Sequence, residues 1–231
     1  MTTIFGVPGA QTYPLFDALY GTDVELIVPR HEQAAAYMAM GYAKSTGRAG
    51  VFTVVPELSQ VGFATYTGAL PILEPRTYIS EGFQGTLGFG FPTALGVKVA
   101  HPNEAVVSIT GDGGFMFGVQ ELATAAQYGI ALVTILFNNH SYANVLRDQE
   151  LQFGGRTIGS RLKNPDFVEL AASFGVAAQR VTQPDELRRA LETELAAARP
   201  ALIEVALEPG TEASPWSFIH MRRRPSEILR E

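Results

Sequence analysis

Ala105-Val106-Val107-Ser108-Ile109-Thr110-Gly111-Asp112-Gly113-Gly114-Phe115 and, one crossover later, Ala131-Leu132-Val133-Thr134-Ile135-Leu136-Phe137-Asn138-Asn139-His140-Ser141 decide the fold. Each stretch is an apolar, β-branched run that stops at polar residues and glycine, as a buried strand does. Between them, Val119 to Tyr128 carries a helical pattern closed by Gly129. Strand, helix and strand in that order make two parallel neighbours. Asp112 and Asn139 then emerge together at the carboxyl ends of adjacent strands, where open α/β sheets bind ligands. A carboxylate and an amide oxygen converging there suit a hard cation such as Mg²⁺, which takes few protein ligands and completes its shell with phosphates and water.

The bulk of the chain fits that reading. Its 231 residues suffice for one large domain or two small ones, with 46% hydrophobic and 17% charged residues. A net charge of −6 argues against nucleic acid, which calls for a basic face. There is no cysteine, so disulfides and thiolate metal sites are excluded. No basic region followed by a long apolar stretch opens the sequence, and the apolar runs are too short for a bilayer. The expectation is a cytoplasmic protein with a small-molecule ligand, no nucleic-acid partner and no membrane partner.

Outward from the deciding stretch, residues 1–55 alternate between strand and helix. Strands are expected at Ile4-Phe5, Glu25 to Val28 and Val51 to Val55. Helices are expected at Tyr13 to Tyr20 and Gln33 to Ser45, the latter with Ala34, Tyr37, Met38, Gly41 and Tyr42 on one face and Gly47 beyond its end. This lobe is thin for a core of its own. Residues 56–75 hold three prolines and two glycines without a strong period and read as a linker. Residues 76–207 resume the alternation: a glycine-rich helical segment from Gly85 to Ala100, the deciding unit, and a loop from Gln152 to Lys163. Asn164 is then expected to cap a helix with Pro165 at its first position. A strand at Ala177 to Val181 and a helix at Pro184 to Ala198 follow, the helix turning Leu187, Ala190, Leu191, Leu195 and Ala198 inward. The last strand is Ala201 to Leu207, and residues 208–231 form a tail with Arg222 to Arg224.

Gly-Asp-Gly by itself is also a common turn. The Asn138-Asn139 pair one crossover later sharpens it, and the arrangement resembles the diphosphate-and-magnesium motif of thiamine diphosphate-dependent enzymes, in particular the acetolactate synthase and benzoylformate decarboxylase group. Arg76 to Ser80, Gly85 to Pro92, Gly111 to Leu122 and Phe137 to Asn139 are similar to that group in the same order, and Arg30-His31-Glu32-Gln33-Ala34-Ala35 resembles the signature of its pyrimidine-binding domain. The resemblance implies an α/β fold in which a parallel sheet flanked by helices binds the diphosphate and a small pyrimidine-domain-like lobe stands beside it. It implies that Asp112 and Asn139 give side-chain oxygens to Mg²⁺ and Ser141 its backbone carbonyl. Gly111, Gly113 and Gly114 would let the backbone approach the phosphates, with the following helix offering its N-terminus to their charge. Tyr142 would cover the diphosphate, Leu87 would prop the cofactor in a bent shape, and Gly85 would offer its carbonyl to the pyrimidine amine.

Glu32 is the catalytic residue by that resemblance. A glutamate hydrogen-bonded to the aminopyrimidine favours the tautomer that removes the thiazolium proton. From the residues alone, Glu32 is equally an acid in a helix's first turn. His31, His140 and Gln84 could face a substrate or lie on a plain surface; His101 and His220 are expected to carry no chemistry. The implied activity is decarboxylation of a 2-keto acid such as pyruvate, or joining of the resulting acyl carbanion to a second carbonyl. A cofactor-binding module without useful turnover is the competing expectation, as is an α/β protein using Asp112 for another phosphorylated ligand. The chain departs from the group in length. The first block stops at Val55, the rest of a pyrimidine domain and a central domain are not seen between the blocks, and the pattern resembles an internal deletion. Half a pyrimidine domain would leave apolar surface uncovered, so a homo-oligomer, a dimer or higher, is expected.

Overall fold

The computed structural model describes residues 3–7, 13–53, 75–79 and 87–208. Ser80, Gln84, Gly85, all of the expected linker except Pro75, and the tail after Glu208 lie outside them.

Among the described residues, two all-parallel sheets form. The first contains β1 (Thr3–Gly6), β2 (Glu25–Ile27) and β3 (Val51–Thr53) in the order β2-β1-β3, with α1 (Tyr13–Leu19) and α2 (Glu32–Thr46) as its crossovers. The second contains β4 (Val107–Gly111), β5 (Val133–Asn138), β6 (Ala177–Val181) and β7 (Ala201–Ala206) in the order β4-β5-β7-β6. Its helices are α3 (Gly90–Ala100), α4 (Asp112–Phe115), α5 (Leu122–Tyr128), α6 (Ala143–Gln152), α7 (Phe167–Ser173) and α8 (Pro184–Ala197). This is the expected α/β class. β5 lies between two neighbours and is buried on both faces, which is why its sequence is almost unbroken in apolar residues.

Among the described residues the thin N-terminal lobe has no separate core. Phe5, Ile27, Ala35, Met38 and Ala39 belong to one buried cluster with Phe91, Leu95, Phe115, Leu122, Leu136, Phe167 and Leu202 of the larger lobe. A second cluster, Val133, Ile135, Val181, Ala190, Ile203 and Val205, lies on the other side of the larger sheet under α8. The lobes join where α2 crosses α3. A Cβ on Gly41 would strike the Thr93 carbonyl, and one on Gly96 the Met38 carbonyl, so the two backbones touch where only glycine fits. α2 ends as its sequence implies: Gly47 takes φ 69° and returns its N–H to the Ala43 carbonyl at 2.9 Å.

Several local expectations need correction. Of the expected helical segment Gly85 to Ala100, the described residues Leu87 to Phe89 are not helical and α3 begins at Gly90, Gly88 taking φ 82°. Val119 to Tyr128 is not one helix but a 3-10 turn, Val119–Glu121, leading into α5. Asn164 does not cap the next helix: Asp166 does, its Oδ1 accepting from Val168 and Glu169, and α7 starts at Phe167. Ala198 is not an inward residue of α8 but its exposed, left-handed C-cap at φ 49°. α6 fills residues for which no element was expected.

Candidate functional site

The register Gly111↔Phe137 brings the carboxyl ends of β4 and β5 level, so Asp112 and the Asn138–Ser141 loop leave the sheet side by side. Asp112 is only 2% exposed. Its Oδ1 accepts the Gly113 N–H at 2.9 Å, and its Oδ2 accepts from Asn164 Nδ2 at 2.6 Å. Burial pushes its carboxyl above the ordinary value, while hydrogen bonds from Asn164, Gly113 and the His140 backbone pull the other way. The strand ends are linked by Asn164, whose Nδ2 also donates to Asn138 Oδ1 at 2.8 Å.

The β5 loop is built tightly. His140 takes φ 57°, a conformation rare outside glycine, and turns the chain back. Asn139 is buried, and its Oδ1 accepts the Ser141 N–H at 3.1 Å. Ser141 forms an antiparallel bridge with Arg161, while Tyr142 N–H donates to the Ser160 carbonyl and Leu162 N–H to the His140 carbonyl, both at 2.8 Å. The Tyr142 ring lies across Gly113, where an added Cβ would come within 2.5 Å of it. At the next residue, Leu87 Cδ2 would be 3.7 Å from a Cβ on Gly114. The fold thus gathers Leu87, Gly111, Asp112, Gly113, Gly114, Asn139, Ser141 and Tyr142. Gly85 lies outside the described residues. The helix after the motif differs from expectation: α4 is a single turn of four residues that Asp112 itself begins, too short to bring a long helix's dipole to a phosphate.

Glu32 belongs to the other lobe. It opens α2 behind His31, whose Nδ1 accepts the Gln33 N–H at 3.1 Å, so His31 serves as a helix cap. The segment just before it is fastened to the larger lobe. Arg30 N–H donates to both carboxylate oxygens of Glu121, at 3.1 and 3.0 Å, its guanidinium donates to Gln127, and Val28 N–H donates to the Tyr128 hydroxyl at 3.1 Å. Glu121 is 0% exposed, receives the Thr124 hydroxyl at 2.6 Å, and has its carboxyl raised by burial. His101 pairs with Glu104 far along the chain from these residues.

Sequence reasoning missed Asn164, Glu121 and Glu204, and gave Asn138 no role of its own. Glu204 carries a readable signal, a lone acid inside the apolar run Ala201 to Ala206. Such a group requires a buried partner. Asn164 carries none, since an asparagine before proline reads as a cap.

The donor set here is one carboxylate with amide and carbonyl oxygens. Among the described residues, no three His, Cys, Asp or Glu side chains cluster to hold a metal. A cation at Asp112 would therefore draw on neutral oxygens and on a ligand, which suits Mg²⁺ and a phosphate. Fold and site together define a class: parallel α/β proteins with an oxygen-lined crevice at the carboxyl ends of their strands.

The comparisons narrow that class. Residues 59–205 match the family described as thiamine pyrophosphate enzyme, C-terminal TPP binding domain, and residues 1–70 match the corresponding N-terminal TPP binding domain. The chain belongs to the thiamine pyrophosphate enzyme family. It is 44% identical over 142 residues to a probable acetolactate synthase large subunit of Methanocaldococcus jannaschii, covering 61% of this chain and 24% of that protein. Against acetolactate synthase isozyme 2 large subunit of Escherichia coli it is 40% identical over 156 residues, 67% of this chain and 28% of the relative. Among solved structures, the thiamine diphosphate-dependent 4-hydroxybenzoylformate decarboxylase of Rhodococcus jostii RHA1 aligns with a TM-score of 0.51 and 34% identity, over 56% of this chain and 26% of that one. The chain spans about a quarter of the length of the curated relatives it matches. No helix among the described residues is long and apolar enough to cross a membrane.

Proposed function

We propose that the chain holds thiamine diphosphate through Mg²⁺ at the carboxyl ends of β4 and β5, and acts on a 2-keto acid, releasing carbon dioxide or passing the acyl unit to a second carbonyl compound. The observation that carries this is the meeting of Asp112 with the Asn138–Ser141 loop, which register and the Asn164 side chain bring together. Asp112, Asn139 and the Ser141 carbonyl would hold the cation, whose charge offsets the cost of burying a carboxylate. Gly113 and Gly114 keep the backbone bare of side chains beside the site, with Tyr142 next to Gly113 and Leu87 next to Gly114. When bound, thiamine diphosphate supplies the electron sink that 2-keto acid chemistry requires. Glu32, held in place through Arg30 and Glu121, would hydrogen-bond the aminopyrimidine and hold a proton there. The setting of this reading is a cytoplasmic homo-oligomer. Leu15 and Met40 in the small lobe, and Val107 and Ile109 on the edge strand β4, are exposed and give a second copy apolar surface to cover.

Glu32→Gln is the test. Turnover of a 2-keto acid is expected to fall at least roughly a hundredfold, the scale of a lost proton-transfer group, with Mg²⁺-dependent cofactor binding retained. A variant as active as the parent removes Glu32 from the chemistry. A second reading, cofactor binding without turnover, draws support from the chain's quarter-length match to its relatives. It prevails if the parent binds the cofactor and consumes no 2-keto acid.

A further inference from the structure

We propose that Asn164 is a positioning residue of the cation site, holding the β4 and β5 ends at the spacing the ion requires; this rests on the cation reading above. Its amide nitrogen has two hydrogens, and both are used: one to Asp112 Oδ2 at 2.6 Å, the other to Asn138 Oδ1 at 2.8 Å. The side chain thus bridges the residue just past the end of β4 and the last residue of β5.

The bridge has a fixed polarity. Asn138 Nδ2 donates to Glu204 Oε1 at 2.7 Å, while its Oδ1 accepts the His140 backbone N–H, which can only donate, at 3.3 Å. Asn138 must therefore present its oxygen to Asn164, and Asn164 must answer with its nitrogen. A flipped Asn164 would set its oxygen against a carboxylate and a carbonyl oxygen at once. Because the nitrogen faces the site, Asn164 orients the ligand Asp112 and the neighbour of the ligand Asn139, and does not itself coordinate the ion.

The network closes on itself. Glu204 Oε2 accepts from Arg180 Nε at 2.8 Å, and Arg180 Nη2 donates to Asp166 Oδ2 at 2.8 Å. Asp166 caps α7 two residues after Asn164. The segment bearing the bridge is thereby tied through β6 and β7 to the same Asn138 that the bridge holds. This also explains why the cap falls to Asp166, which leaves Asn164 to the site.

The test uses Mn²⁺ as a spectroscopic stand-in for the cation, titrated into the protein with saturating thiamine diphosphate and followed by electron paramagnetic resonance, with circular dichroism reporting the fold. Asn164→Ala is expected to weaken Mn²⁺ binding roughly 10–100-fold, the usual cost of losing a group that orients a metal ligand, with the helix signal retained. Asn164→Ser keeps one donor on a shorter side chain, falls between parent and alanine variant, and is read in its place if the alanine variant does not fold. Parent-like Mn²⁺ affinity in a folded variant overturns the proposal, and so does a failure of both variants to fold, which would make the bridge structural alone. A parent chain that binds no Mn²⁺ with thiamine diphosphate present instead sinks the cofactor reading itself.

Discussion

The two lobes solve the same packing problem unequally. The larger lobe buries both faces of its central strand, one against α3, α5 and α7 and the other against α8. The smaller lobe, whose described residues form three short strands and two helices, sends Phe5, Ile27 and Met38 into its neighbour's core. The division matters for chemistry, because the residues proposed to hold the cation all lie in the self-sufficient lobe. Glu32 lies in the dependent one, and its place is set by α2 packing on α3 and by the grip of Glu121 on Arg30. Holding the cation and aligning Glu32 should therefore be separable by mutation.

The largest effect is expected at the shared core. Leu95→Ala removes a fully buried side chain of α3 and should cost about 2–5 kcal/mol. Because the lobes share that cluster, chemical denaturation should show one transition moved to lower denaturant; a separate early transition of the small lobe would break the picture of a common core. Next comes the fastening of Arg30. Glu121→Ala leaves the Arg30 N–H without its acceptor and should cost about 1–3 kcal/mol, reducing turnover more than cofactor affinity. Hydrogen exchange at Arg30 to Gln33 should quicken in this variant, while the Asn138–Ser141 loop stays as it was.

Glu121 also gives a pH signature. Its folded carboxyl is raised above the ordinary glutamate value of 4.5 by burial, so the folded state keeps a proton that the unfolded state releases. That contribution to stability is fully present below about 4.5 and is lost as pH rises through the raised value. In Glu121→Gln this part of the pH dependence should vanish; a stability–pH curve identical to the parent's would contradict it. Asp166 sets the smallest effect and the opposite sign. Its carboxyl is held below the ordinary range by the Arg180 hydrogen bond, so its contribution is present above 3.8 and lost as pH falls through the lowered value. Asp166→Ala should lower the melting temperature slightly at neutral pH and hardly at all at strongly acid pH.

Much of the larger lobe could be read from its residues. The runs ending at Gly111 and Asn138 are strands because continuous β-branched apolar sequence suits a strand covered on both faces, and Gly47 and Gly129 stop helices because each takes a left-handed conformation. Long-range partnership was not legible. Nothing local to Asn164 tells that it reaches Asp112, 52 positions away in sequence, or that Glu121 accepts from Arg30 across 91. Periodicity also overran where a glycine or a 3-10 turn interrupts the helix, as before Gly90 and at Val119–Glu121. The motif residues come together because one crossover enforces it; the residues that support them come together only in the folded packing.

The central claim is that Asp112 and the loop after β5 grip one divalent ion that anchors a diphosphate. Calorimetric titration of the parent and of Asp112→Ala with thiamine diphosphate, each with and without Mg²⁺, tests it most directly. The account predicts saturable binding by the parent only when Mg²⁺ is present, and a loss of roughly a hundredfold or more in the variant, beyond the range for a group that merely orients a ligand. Equal binding without the cation, or undiminished binding by Asp112→Ala, would contradict it.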